Sequence, residues 1–575
     1  MVDVSRRSFM VGAGLATAAS IASFPRRADA KLDKPRVQAP PDLQPLIDRE
    51  RKNILAAMAK EDIPGAGICL IYEGKPVWIE GFGVTDRHSN RKVTDSTIFN
   101  VESTSKNFTA TAIMLAIQRG LLDLDEPITT YLPDFTVHSR FDAAPEAKIT
   151  LRLLLSHRAG FTHEAPVGNG HDANFPDFEA HVRSISQTWL RFPVGERYRY
   201  SNLGFDLAGY ILQTVTKMAF AECLKTMLFD PLGMVDSTAA IEIYTQRADR
   251  AVGNQTGYTT VPLKIPLIPS GGVYTSPRDV AAYLMFHLNE GKFESTTILE
   301  TRFWREMHAF SLGGNYGLGV ARSDLRFGDT PVRLLGHSGS GFGFGCALDY
   351  YPEAQLARAA FFSQDLAPAG DQFGAEPVGE LLSRRYGAHK PRLTAQDLSL
   401  IEPERKQLEQ FVGSYVGRII PTAVEMKIEN DKLGLQLGPM FSPIQFTSPV
   451  DVFSAAPTGD VVMSRYFPAR DNELAHFECS IGDLSLDYND GPHDPFGPNK
   501  PAWEGFLGEY QVYAWGQPDE RKTVHRKNGY LYLDDLRLFV EFEPGLFFTA
   551  DGEAVDFRHP VPTWRNIRLE RVKPG

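Results

Sequence analysis

Cysteine is scarce in this chain of 575 residues: Cys69, Cys223, Cys346 and Cys479 stand far apart, and no C-x-x-C pair occurs. That excludes a disulfide framework and a cysteine-built zinc site, and leaves thiols expected to be buried. Long apolar runs are lacking too. The stretch FMVGAGLATAASIASF is short of the ~20 residues that span a bilayer, and no later segment reaches that length uninterrupted, so no stable membrane anchor is expected. Nor is there a basic excess. The net charge of −11 argues against nucleic acid or an anionic membrane surface as a main partner. What remains, 43% hydrophobic and 23% charged residues without low-complexity tracts, is the composition of a globular chain, long enough for about two to four domains.

Residues 1–30 stand apart. SRRSFM sets Arg6 and Arg7 before the mildly apolar stretch, and Arg26 and Arg27 precede the small-x-small site Ala28–Ala30. The segment resembles a twin-arginine export signal, which implies the twin-arginine translocase as a partner during export and a periplasmic or secreted destination. Passengers of that route fold before export, in keeping with few disulfides.

Two alternating apolar runs, GAGICLIY and PVWIEGFG, flank the turn signal EGK and predict a β-hairpin over residues 65–83. Helical periodicity dominates from Ser103 to about Leu228, and strand-like runs return at GNYGLGVAR and PVRLLGHSGSGFGFGCALDYY. Strand, helical middle and strand again predict an α+β domain over 41–390, an antiparallel sheet that brings the two ends of this stretch together under flanking helices. From about residue 405 the apolar runs become short and alternating. LEQFVGSY (from Leu408) aligns with WEGFLGEY (from Trp503), and NDKLGLQL (from Asn430) answers NGYLYLDD (from Asn528). This repeat predicts two small antiparallel β-barrels, 405–490 and 501–575, joined by the Pro/Gly-rich DGPHDPFGPNK.

FNVESTSKNF holds the first chemical signal. Ser103 and Lys106 lie at i and i+3, on one face of a helix, and a lysine entering a core is costly unless paired or neutral. A desolvated amine can take a proton from a neighbouring hydroxyl. S-x-x-K alone is common, with Ser103 as helix cap and Lys106 snorkelling as its ordinary meaning. Two further groups accompany it: Tyr200-Ser201-Asn202 before an apolar helix, and His337-Ser338-Gly339 in a glycine-rich strand-like run.

With LRLLLSHRAGF, RFPVGERYRYSN, FDPLGMVDST, PSGGVYTSPRDVAAYL and NYGLGVA in order between or beside them, these motifs resemble the serine β-lactamase and penicillin-binding-protein family over roughly residues 45–385. The resemblance implies Ser103 as nucleophile of an acyl-enzyme, Lys106 and Tyr200 sharing proton transfer, and Asn202 touching the substrate amide. It also implies an oxyanion hole from the backbone N–H groups of Ser103 and Ser340. Two positions depart from the family pattern. His337 replaces the lysine of the K-T-G-type strand, which weakens carboxylate binding and turns the resemblance toward D-aminopeptidases, whose catalytic domain is followed by two (lipocalin-like) β-barrels. Glu102 stands where a small residue is usual.

The expected activity is therefore exported hydrolysis of amide bonds in small peptides or amino-acid amides, with D-residues among them, and no cofactor. The alternatives are a carboxylesterase of the same fold and a protein that is acylated without turning over. Other signals are weaker. His163, Glu164, His171 and Asp172 cluster without metal-ligand spacing, so a polar surface loop and no metal are expected. GSGFGFG does not fit a dinucleotide fingerprint. QVYAWGQPDERK (Gln511–Lys522) reads as a long connection whose Tyr513 and Trp515 fill the barrel, unless, as the resemblance implies, this loop or the linker DGPHDPFGPNK closes the pocket near Ser103.

Overall fold

In the computed structural model, residues 37, 39–172, 177–258, 260–312, 314–365, 367–390, 398–417, 423–437, 440–455, 461–469, 474–479, 486–490, 503–527 and 530–572 are described. Residues 1–30, read above as resembling an export signal, and the linker residues 491–500 lie outside them. The described residues belong to one unit, Val37–Gly575.

The two ends of the first domain meet, as the order strand, helical middle, strand predicts. Gly65–Tyr72 pairs antiparallel with Lys75–Gly83 on one side and with Leu356–Phe362 on the other, Ala66 opposite Phe362. The sheet has seven strands in the order His389–Lys390, Ala321–Phe327, Thr330–Gly341, Phe344–Tyr351, Leu356–Phe362, Gly65–Tyr72, Lys75–Gly83. Side chains alternate across a strand, so Gly65–Tyr72 serves two cores. Ala66, Ile68 and Leu70 face the helices Gln44–Lys60 and Ala375–Tyr386, while Cys69 and Ile71 face the helical insertion between the strand pairs. Cys69, Cys223 and Cys346 are buried free thiols.

The helix Ser105–Gln118 runs through the second core, with every residue from Ser105 to Ala116 buried. A helix buried all round must satisfy its polar side chains, and this one does. Ser105 Oγ accepts from Val273 N–H, Asn107 donates to Gly319 O, and Thr109 donates to Pro269 O.

Two nine-stranded antiparallel sheets follow. In each, the two outermost strands are consecutive in the chain, Met440–Pro443 with Gln445–Phe446 and Ile567–Arg568 with Glu570–Arg571. Each sheet thus curls back on itself as a barrel does, with Tyr415, Met426, Leu433 and Phe477 inside the first and Tyr510, Val524, Leu533 and Phe547 inside the second. The repeat is structural. Both copies open with a short 3-10 turn, and Tyr415 donates to Phe411 O as Tyr510 donates to Phe506 O. No helix among the described residues is long and apolar enough to cross a membrane.

The strand Thr330–Gly341 passes directly over the turn that holds Ser103. A Cβ on Gly339 would lie 2.2 Å from Val101 O and 2.8 Å from Ser103 N, so only glycine permits this approach. Gly339→Ala is expected to push strand and turn apart, lowering unfolding free energy by about 1–3 kcal/mol and slowing acylation. Denaturant titration and labelling of Ser103 measure the two effects, and an unchanged labelling rate would show that the approach is dispensable.

Candidate active site

Ser103 sits in a 3-10 turn, Glu102–Thr104, that feeds the helix Ser105–Gln118. The sequence placed both Ser103 and Lys106 on one regular helix; the tighter turn instead brings i and i+3 side chains into near-eclipse. Thr104 Oγ1 pins the turn to His337 O at 3.2 Å. Glu102 adopts φ of 48°, an unusual left-handed backbone for a non-glycine residue, and its N–H donates to Asn100 Oδ1 at 2.7 Å. Its carboxyl is buried, with Oε1 unpartnered. Burial, then the nearby Asp365 charge, pushes its pKa well above the carboxylate range.

Lys106 is wholly buried. Its Nζ donates to Ser103 Oγ at 3.1 Å, Asn202 Oδ1 at 2.8 Å and Ser270 O at 2.9 Å, and lies 4.8 Å from the Tyr200 ring centroid. Burial pulls its pKa down to about 7, against the opposing pull of Asp206, Glu102 and Glu164. Ser270 is held in turn by Asp206, which accepts from both Ser270 N–H and Oγ–H, and His181 Nε2 stands 3.2 Å from Asp206.

Asn202 opens the helix Asn202–Thr216, capped by Ser201 Oγ accepting from Leu203 N–H. The ring of His157, itself at φ 58°, packs 4.3 Å from that of Tyr200, and its Nδ1 accepts from Ser201 N–H at 3.1 Å. His337 closes the other side. Its Nδ1 is 2.5 Å from Ser338 O and its Nε2 2.8 Å from Tyr316 Oη. A carbonyl can only accept, so Nδ1 carries the proton and Nε2 accepts from Tyr316. Burial, then the Lys106 charge, pushes the His337 pKa down to about 3, and the ring is neutral throughout the physiological range. Ser338 and Ser340 are exposed while Gly339 is buried, and Ser340 Oγ donates to Asp365.

Ser103, Lys106, Tyr200, Asn202, His337 and Gly339 thus converge on one place, with Ser338 and Ser340 on the same strand. His157, Tyr316, Ser270, Asp206 and Asp365 were missed as members, although the stretches carrying His157, Ser270 and Tyr316 had been noticed. The loop carrying His163 and Glu164 is not a polar surface loop: Glu164 is buried, its pKa held at about 2 despite burial, with His163 Nδ1 at 2.7 Å from Oε1 and Gly170 N–H donating to Oε2. Among the described residues no group of three or more His, Cys, Asp or Glu is arranged to hold a metal ion.

The segment read as a long connection is a tight hairpin. Gly508–Ala514 and Gln517–Lys527 are joined by Trp515-Gly516 alone, both at positive φ. Trp515 does not fill the barrel. Its indole N–H donates to Gly170 O at 2.8 Å and its backbone N–H to His171 O at 3.1 Å, and its ring packs against Tyr258 and Phe342. Tyr513 is exposed.

Comparison with known proteins gives the family and the fold. The family model described as Beta-lactamase matches residues 51–381, more than half of the chain. Protein flp of Staphylococcus aureus (strain COL) is 27% identical over 237 residues, 40% of this chain and 47% of that protein. Esterase EstB of Burkholderia gladioli is 26% identical over 191 residues, 31% of this chain and 48% of that protein. The chain therefore spans about half the length of these relatives. An octameric penicillin-binding protein homologue from Pyrococcus abyssi has a similar fold, with TM-score 0.50 and 22% identity over 76% of this chain and 99% of that one. SurE, solved with D-Leu, has TM-score 0.54 and 18% identity over 77% and 99%.

Because Lys106 loses its proton near pH 7, and only the neutral amine accepts one, acylation of Ser103 is expected to rise with pH through about 7. A pH profile of kcat/KM measures this, and Lys106→Arg, permanently charged, is expected to remove both the limb and most of the rate. A rate independent of pH across that range would exclude Lys106 as the base.

Proposed function

The chain belongs to the beta-lactamase family, a family of serine hydrolases, and we propose from that premise that it is an exported hydrolase working through an acyl-enzyme on amides of small peptides or amino acids, D-residues among them. One observation carries the reading: a buried amine with lowered pKa 3.1 Å from the Ser103 hydroxyl. Ser103 Oγ attacks the acyl carbonyl carbon as its proton passes to Lys106 or Tyr200. The oxyanion is met by the backbone N–H groups of Ser103 and Ser340. The carbon–nitrogen bond breaks, the leaving amine takes a proton from the same pair, and water then hydrolyses the ester by the reverse transfers.

The electrostatics support an amine-bearing substrate over a free carboxylate. His337 is neutral where a cation would be needed to hold a carboxylate, and Asp365 and Glu164 stand close by. The similarity to esterase EstB favours a second reading, cleavage of short acyl esters by the same steps. Ser103→Ala is expected to lower turnover by ~10⁵-fold or more and to abolish fluorophosphonate labelling with the fold intact. Residual activity near the parent level would place the nucleophile elsewhere. A panel of D- and L-aminoacyl nitroanilides, nitrophenyl esters and nitrocefin separates the readings, and acylation without release would identify a protein that is acylated but does not turn over.

The hairpin tip belongs to this proposal. Trp515 packs on Phe342, the residue after Gly341 at the end of the strand carrying Ser340, a contact that supports reading it as a limit on substrate size. Trp515→Ala is expected to raise kcat/KM for bulky substrates by about tenfold while leaving small ones unchanged. An unaltered size profile would leave the hairpin as a docking contact only.

A further inference from the structure

The two chain neighbours of Tyr200 are bonded to His157 through their backbone N–H groups, and each is also tied to a barrel through its side chain. On one side Arg199, 3% exposed, forms an ion pair with Asp487, 2% exposed, on the strand Leu486–Asp490 of the first barrel. The Arg199 N–H also donates to His157 O at 2.8 Å. On the other side Ser201 Oγ donates to Thr162 O at 2.6 Å, and Thr162 Oγ1 donates to Glu553 Oε2 of the second barrel at 2.6 Å. The stretch leading to Tyr200 is fixed further back by the same barrel turn. Arg191 Nε donates to Asp551 O at 3.0 Å, and its guanidinium pairs with Asp551 at 2.9 Å and Glu553 at 3.2 Å. The fit is close: a Cβ on Gly552 would lie 2.4 Å from Arg191 O.

Buried ion pairs of this kind are weak contributors to net stability, because desolvation offsets the attraction. What they do supply is fixed position. We infer that Asp487 and Glu553, one from each barrel, are positioning residues for Tyr200, so that the barrels complete the catalytic geometry rather than merely accompany it. The inference rests on the reading of Tyr200 as a proton-transfer group in acylation of Ser103. Loss of either hold leaves the segment 199–201 tied to His157 but released on one barrel side, and a displacement of about 1 Å at such a group costs up to ~10²-fold in rate. The effect is expected in the chemical step, which reads out as kinact.

The test uses the full chain and the kinetics of fluorophosphonate labelling, normalised to folded protein by circular dichroism. Asp487→Asn is expected to lower kinact about tenfold or more with KI unchanged. Thr162→Val, which removes one hydroxyl between Glu553 and Ser201, is expected to lower kinact about threefold, again at constant KI, and it carries the test should Asp487→Asn fail to fold. Contacts that merely hold the barrels on would lower the thermal midpoint and leave kinact within about twofold of the parent; that result overturns the inference. Absence of labelling in the parent itself would overturn the reading of Ser103 instead.

Discussion

The site depends on keeping one ammonium dry without letting a carboxylate neutralise it by direct contact. A carboxylate bonded to Lys106 would hold it charged, and the surroundings contain three candidates, Asp206, Glu102 and Glu164. None of them bonds it directly. Asp206 is occupied by the N–H and hydroxyl of Ser270, whose carbonyl, a neutral acceptor, is what Lys106 meets. Glu102 is driven toward its neutral form by burial and by Asp365. Glu164 is engaged by His163 and Gly170 N–H. Burial then prevails over the remaining attraction, and the amine titrates near neutrality.

The backbone bears part of the cost. Glu102 and His157, on opposite sides of the Ser103–Tyr200 pair, both have positive φ, a conformation costing on the order of 1–3 kcal/mol for a non-glycine residue. At Glu102 it turns the chain so that Ser103 leads into the helix under the glycine-only contact with Gly339. At His157 it presents the ring to Tyr200 and Nδ1 to Ser201 N–H. Both strained residues thus set the direction of the side chains that must meet at Ser103.

What was legible in the sequence was local or periodic. Ser103 with Lys106, and Tyr200 with Asn202, are close in the chain, so a single turn or helix start fixes their relation. The sheet and barrels were legible from alternation, and the duplication from repeated order. Asp206 and Asp365 were not, because nothing in their own neighbourhoods marks them, and Ser270, though inside PSGGVYTSPRDVAAYL, carries no mark of its own; each acquires meaning from a partner far away in the chain. The hairpin at Trp515 was misread for another reason. Trp-Gly lacks the Asn-Gly or Asp-Gly signal of a two-residue turn, and the positive φ of Trp515 is upheld by its bonds to Gly170 and His171, which alternation does not report.

The duplicated barrels show which features packing preserves and which it releases. The Tyr415–Phe411 and Tyr510–Phe506 bonds match because a buried tyrosine hydroxyl needs an acceptor, and the preceding 3-10 turn offers the same carbonyl in both copies. Outside the barrels no such demand acts, and the copies differ. The first meets the catalytic domain through a strand residue, Asp487, whereas the second uses the turn Asp551–Glu553 and the hairpin tip at Trp515. Duplication supplies two similar interiors, while the outer residues that meet the catalytic domain differ between the copies.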